Sequence, residues 1–202
     1  RNPFIQFHIS PNVKEREYLT EDELKAVMTH EFADSKLAYI RDIFIFASFT
    51  ALSFVDIQEL TNDNIVEVNG EKWILSKRHK TKVAFQVKLL DIPLQIVERY
   101  RPMQKDNRIF PGLNYWSICK PLKRMIRECG ITKSISFHCS RHGFATLALS
   151  KGMPIESVSR VLGHTNIVTT QLYAKITTQK LDNDLTMFGD KLSKTFNGIT
   201  MS

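Results

Sequence analysis

His138-Cys139-Ser140-Arg141-His142 and, further along, Leu162-Gly163-His164-Thr165-Asn166-Ile167-Val168-Thr169-Thr170-Gln171-Leu172-Tyr173 are the stretches on which the reading of this chain turns. His138, Arg141 and His142 stand three and four positions apart, so on a helix or its first turn they share one face. Gly163 follows an apolar run ending at Leu162, where a C′ glycine stands, and Thr165 is placed to N-cap a helix from Asn166 to Lys180 that carries Tyr173. Together the side chains suit one reaction, attack on a phosphodiester by a tyrosine. Its transition state concentrates charge on the non-bridging oxygens, and fixed donors aimed at them lower its energy. Arginine serves best, because its planar fork binds phosphate bidentately and keeps its charge. A phenol with an ordinary pKa of about 10 is protonated at neutral pH and needs a base or neighbouring cations. Each piece alone has a plainer reading: an exposed helix start, a turn histidine facing solvent, a core aromatic beside Leu172.

Outward from these stretches, the chain reads as helix, then sheet, then helix. Thr20-Glu21-Asp22-Glu23 is a capping box opening a helix to about His30. A strongly apolar helix over 35–52 places Leu37, Ile40, Phe44, Ala47 and Leu52 at helical spacing, and a short one covers Asp56 to Leu60. The period then becomes alternating over Ile65–Val68, Trp73–Ser76 and Val83–Leu89, with Asn69-Gly70 as a type I′ hairpin signal. The second connection, Lys77-Arg78-His79-Lys80-Thr81-Lys82, is a dense basic turn. Helical patterns resume over Pro93–Tyr100, Tyr115–Cys129, Ser140–Lys151, Pro154–Leu162 and Asn166–Lys180. The expected fold is α+β, mainly helical with a small three-stranded antiparallel sheet. Residues 1–18, with Pro3 and Pro11, read as an extended lead-in, and the tail from Leu181 is weakly amphipathic through Leu185, Phe188 and Leu192.

Composition narrows the class. The 202 residues are 43% hydrophobic and 24% charged, enough for one buried core. A net charge of +7 favours a polyanionic partner without identifying it. Cys119, Cys129 and Cys139 are odd in number and contain no Cys-x-x-Cys pair, which argues against a disulfide framework and a zinc ribbon and for a reducing, cytosolic setting. No apolar run approaches the roughly 20 residues that span a bilayer, so no membrane is expected. Arg1-Asn2-Pro3 carries no starting methionine, and we expect the chain to be part of something longer.

The segment from Leu162 to Tyr173 is similar, almost position by position, to the nucleophile signature of the tyrosine recombinases, or phage-integrase family. Arg141-His142-Gly143-Phe144-Ala145-Thr146 resembles that family's arginine segment. The likeness covers the catalytic domain, from about Leu19 to Tyr173. It implies that Tyr173 attacks the scissile phosphate to form a 3′-phosphotyrosyl link and free a 5′-hydroxyl. Arg141, His164 and His142 then bind the phosphate or support groups that do, and His138 accepts the phenolic proton. The family's general-acid lysine lies in the turn between the second and third strands, where Lys80 matches best and Lys77 and Lys82 are alternatives. No metal or nucleotide is implied, because the phosphotyrosine conserves the bond energy. The resemblance also implies double-stranded DNA at specific sites, a homotetramer in the synaptic complex, and accessory DNA-bending or excision factors. Residues 1–18 would be a linker from an N-terminal DNA-binding region, 19–180 the catalytic domain and 181–202 a tail. Lys77, Arg78, Lys82, Lys123 and Arg124 are candidates for DNA contact, although a solvated charged face explains the last two equally well.

One segment departs from the family. Where its members have an arginine three positions before an acidic residue, this chain has Ser53 before Asp56. Asp56 matches the acidic position and is expected to orient a neighbouring cation, while Ser53 supplies no charge. The upstream arginines are Arg1, Arg16 and Arg41; Arg41, on the same predicted helix, is the candidate substitute, and the alternative is a surface arginine beside Asp42. Some integrases of conjugative transposons share the serine, which points to a mobile-element enzyme. Three rival classes remain. A DNA-binding regulator with a helix-turn-helix over 154–180 leaves Tyr173 and Arg141 unexplained. A metalloenzyme on His138-x-x-x-His142 lacks a third ligand. A type IB topoisomerase shares the chemistry.

Overall fold

The computed structural model describes residues 17–104, 106–173 and 178–195. The expected lead-in with Pro3 and Pro11, and Arg1 and Arg16 with it, lies outside them. Helix α1 (Glu21–Thr29) opens on the expected capping box: Thr20 Oγ1 accepts from the Glu23 amide at 3.3 Å, and Glu23 Oε2 accepts from the Thr20 amide at 2.7 Å. The same carboxylate takes Lys133 Nζ at 2.6 Å, which ties the entry of α1 to the loop preceding the arginine segment.

Helix α2 (Ser35–Thr50) is apolar nearly all round, as a helix must be to run through a core. It packs against α1, α4 (Asp91–Tyr100), α5 (Tyr115–Glu128) and α6 (Cys139–Ser150). Phe44, Phe46 and Phe110 are fully buried, and edge-on ring contacts such as Phe46–Phe110 at 4.9 Å join the central helix to its neighbours. α2 ends because Ala51 turns left-handed at φ 55°, which directs its carbonyl away from the helix. Helix α3 (Phe54–Gln58) starts two residues before its expected position, since Ser53 and Asp56 form a capping box of their own.

The sheet has the expected order and antiparallel sense, β1 (Ile65–Val68), β2 (Glu71–Lys77), β3 (Ala84–Lys88). Asn69 and Gly70 both have positive φ, 53° and 77°, which is the type I′ turn read from that dipeptide. Ile74, Phe85 and Val87 point inward, and β3 packs on α7 (Ile155–Leu162). That contact brings the far end of the β2–β3 hairpin to the C-terminus of α7.

The expected helix from Asn166 to Lys180 is not one helix. α8 covers only Val168–Gln171, Leu172 and Tyr173 form a turn, residues 174–177 lie outside the described set, and α9 runs Thr178–Thr195. A run of β-branched residues, Ile167 to Thr170, is a poor helix former. Thr165 does not cap it: Ile167 stands at the N-cap, and Asn166 Oδ1 just before it accepts from the Val168 amide at 2.9 Å. α9 continues past Lys180 with Leu185, Phe188 and Leu192 exposed. No helix among the described residues is long and apolar enough to cross a membrane.

Candidate active site

Arg141 lies in the first turn of α6. Its Nη1 donates to the Ala51 carbonyl at 2.8 Å and its Nη2 to the Leu162 carbonyl. Both acceptors are carbonyls at helix C-termini, which lack intrahelical partners and carry the negative end of the helix dipole. The ends of α2 and α7 thus hold a guanidinium that α6 presents. Burial, and then the charge of Arg78, bring the Arg141 pKa down to about 10, opposed by Asp56 and Tyr173. The group is cationic at neutral pH.

Arg78, expected to face DNA from the basic turn, is instead 5% exposed. Its Nη1 donates to Asp56 Oδ2 at 2.8 Å, its Nη2 to the Val161 carbonyl, and its guanidinium carbon lies 4.0 Å from the Phe85 ring centroid. The hairpin forces this direction: the Arg78 amide donates to the Val83 carbonyl and the Lys82 amide to the Arg78 carbonyl, which leaves the side chain on the α7 side. Gly163 makes room. A Cβ there would sit 3.0 Å from both Cγ and Nε of Arg78, and φ at 64° already disfavours any other residue. Asp56 also accepts from the Ser53 hydroxyl at 2.7 Å and from the His79 amide at 2.9 Å. Burial pushes the Asp56 carboxyl up, but the His79 amide, Arg78 and Ser53 outweigh it and hold it below its ordinary value.

His164 follows Gly163, with Nδ1 2.8 Å from the hydroxyl of fully buried Thr170. Burial first, then Arg141, Arg78 and His138, bring its pKa down to about 4. The ring is therefore neutral at pH 7; in the tautomer in which Thr170 donates to Nδ1, its hydrogen is on Nε2, where it can donate to a phosphate oxygen. His138 and His142 meet edge-on at 4.5 Å between centroids, and His142 lies 5.2 Å from the ring of Tyr173. Tyr173 packs against the small cluster of Ala51, Ala145, Leu149, Val158 and Leu162, which includes the two residues whose carbonyls hold Arg141. Beside Arg141 and His138 opens a cavity of about 240 Å³ walled by Ser53, Phe54, Tyr115 and Phe137.

The histidine environment has a direct consequence. In an NMR titration the His164 ring is expected to stay neutral until the pH falls towards 4, where a solvated histidine charges near 6.5. Because the folded pKa is depressed, this histidine's contribution to stability is complete above about pH 6.5 and is lost as the pH falls through 4. Titration of the His164 ring near 6.5 would contradict this account.

Several expected residues are not brought into the cluster. Arg41 donates from Nε to Asp42 at 2.9 Å and from Nη1 to the His30 carbonyl at 2.8 Å, and Asp42 in turn accepts from Tyr100 and Arg99, each at 2.7 Å. Arg41 stands ten positions before Ala51 on an unbroken helix, about 15 Å along the axis at 1.5 Å per residue. The Arg41 side chain is engaged with Asp42 and the His30 carbonyl at that distance, so it does not take the place that Ser53 leaves empty. Lys77, Lys80 and Lys82 are exposed around the hairpin end. Lys123 is exposed on α5, where Arg124 pairs with Glu128 at 2.8 Å and Asp34 at 3.4 Å. Among the described residues no three His, Cys, Asp or Glu side chains are grouped to hold a metal ion. Reasoning from the sequence did not identify Thr170 or the burial of Arg78. The usable signal for the second was Asp56, an acid expected to orient a cation beside a hairpin that offers several.

Comparison with known proteins places the chain in a family and relates its fold to solved structures. The profile of the phage integrase family matches residues 17–180. The chain is 32% identical over 177 residues to tyrosine recombinase XerA of Pyrococcus horikoshii, covering 81% of this chain and 58% of that relative. The fold is similar to that of the Tn1549 transposon integrase in complex with circular-intermediate DNA, with a TM-score of 0.73 at 16% identity over 89% of this chain and 68% of the other. It is also similar to that of XerH site-specific recombinase in a post-cleavage complex with palindromic difH substrate, with a TM-score of 0.68 at 22% identity over 85% of this chain and 53% of the other. The chain therefore spans less than two thirds of the length of the curated relative quoted. On the match over residues 17–180, this chain belongs to the phage integrase family.

Proposed function

We propose that this chain is the catalytic part of a site-specific DNA recombinase that cleaves and rejoins strands through a 3′-phosphotyrosyl intermediate, serving integration or excision of a mobile element. The observation that carries it is the convergence of a phenol, a locked guanidinium and a neutral histidine on the ends of α2 and α7. Tyr173 Oη attacks phosphorus while the bond to the 5′-oxygen breaks. Arg141 and the His164 Nε2–H stabilise the charge on the non-bridging oxygens. His138 takes the phenolic proton, with His142 packed between it and Tyr173, and the leaving 5′-oxygen takes a proton from Lys80, with Lys77 and Lys82 as the other candidates in the same turn. Reversal onto a partner strand uses the same groups with protons moving the other way. The substrate is double-stranded DNA at specific sites, acted on in the cytoplasm by a synaptic homotetramer with accessory DNA-bending or excision factors. XerH in complex with difH and a lambda integrase dimer bound to a core site support DNA as the partner class.

A second reading, a catalytically impaired DNA-binding regulator, is favoured by one detail: the Ser53 hydroxyl is committed to Asp56 and offers a phosphate no charge. Its recognition helix, however, would be the four residues of α8. Covalent trapping on a nicked suicide duplex bearing the element's own site, in EDTA, separates the two. The intact protein should form a protein–DNA adduct and Tyr173→Phe none, with duplex binding retained. Binding without any adduct from the unaltered protein leaves the regulator.

A further inference from the structure

We propose that Arg78 is the second phosphate-binding cation of this site, delivered from the β2–β3 hairpin and aimed by Asp56. The proposal rests on the strand-transfer reading above. Attack on a phosphodiester builds close to two negative charges on the non-bridging oxygens, and the electrostatic compensation must already be in place. Arg141 provides one positive charge. His164 is neutral at working pH and provides a hydrogen bond but no charge. Among the described residues, the arginines whose charge reaches His164 are Arg141 and Arg78.

The placement is ordered along four backbone positions. The Val161 carbonyl holds Arg78, the Leu162 carbonyl holds Arg141, Gly163 gives the Arg78 side chain its seat, and His164 comes next. Three donors of one anion site are thus assembled at the C-terminus of α7. Ser53 Oγ reaches the same Asp56 oxygen as Arg78 Nη1, at 2.7 and 2.8 Å. Position 53 and the hairpin therefore meet at one carboxylate, and the guanidinium fills the ground that Ser53 is too short to cover.

The electrostatics are those of a site awaiting an anion. Arg78 is paired with the Asp56 carboxylate while Arg141 is held by helix-end carbonyls alone, so the two guanidinium groups exceed the carboxylate by one unit of positive charge. Arg78 Nε is buried without a hydrogen-bond partner among the described residues, so a donor is unspent inside the cluster. A purely structural ion pair needs neither the second arginine nor the spare donor.

The test measures single-turnover strand cleavage by the intact protein on two suicide duplexes. They differ only at the scissile position, which is a phosphate in one and a methylphosphonate in the other, where a neutral methyl replaces a charged non-bridging oxygen. Two variants are compared with the unaltered protein: Arg78→Ala, and Arg78→Met with Asp56→Asn, which removes both buried charges and so does not strand the carboxylate. On phosphate, the variants should lose about 100-fold or more in rate; on methylphosphonate they should recover to within about tenfold of the unaltered protein on that substrate. A structural role cannot produce that recovery. A folded, DNA-bound variant that cleaves phosphate at close to the normal rate, or that is equally impaired on both duplexes, overturns the proposal. Tyr173→Phe should be inactive on both. If the unaltered protein cleaves neither, the strand-transfer reading fails and the role of Arg78 fails with it.

Discussion

Arg141→Ala should reduce the single-turnover rate of adduct formation by about 10²–10³-fold, the usual cost of removing one fixed donor from a developing oxyanion. Duplex affinity should change far less, because one phosphate contact is a small share of a backbone interface. Arg141→Lys is not a conservative change here. Lysine keeps the charge, but it cannot bond the Ala51 and Leu162 carbonyls and present a planar edge to phosphate at the same time. It should recover only part of the loss. Rapid-quench measurement of adduct at saturating protein, beside filter binding of the same duplex, checks both statements; Arg141→Ala cleaving at close to the normal rate would remove Arg141 from the chemistry.

Asp56→Ala should be the most destabilising polar substitution in the site. It leaves the buried Arg78 guanidinium without its carboxylate, and breaking a buried pair from one side costs about 3–5 kcal/mol. It also removes the acceptor that the His79 amide and the Ser53 hydroxyl share, so the start of α3 and the base of the hairpin loosen together. Asp56→Asn, with an acceptor retained, should cost less. The pH dependence has a definite sign. The folded Asp56 pKa lies below its ordinary value, so its contribution is complete above the unfolded pKa of about 3.9 and is lost as the pH falls through the lower folded value. Urea midpoints measured from neutral pH down to acid should show this component in the unaltered protein and not in Asp56→Asn. Identical acid profiles would mean that the carboxylate contributes nothing through its charge.

Much of the architecture could be read locally. The Thr20–Glu23 capping box, the Asn69-Gly70 turn, the apolar run of α2 and the alternation of the three strands are set by neighbouring residues, and each element stands close to its expected position. Expectations failed where local signals competed. Ser53 and Asp56 cap α3 earlier than the apolar pattern suggested, and the β-branched run after Ile167 ends α8 after one turn, which places Tyr173 in a turn and not on a long helix.

The order and spacing of Arg141, His164 and Tyr173 pointed to phosphodiester attack by a tyrosine, because those side-chain types are the ones that chemistry needs. Which cation stands beside Arg141 was decided only in three dimensions. Arg41 is on the helix nearest in sequence to the gap at Ser53, yet an unbroken α2 carries it about 15 Å away to Asp42. Arg78 is remote in sequence, in a turn whose composition reads as surface. The packing of β3 on α7 turns it inward over Gly163 to a buried carboxylate and a helix-end carbonyl. Periodicity along a chain reports which face of an element is buried; the pairing of a buried charge depends on which elements pack together, and no local pattern encodes that.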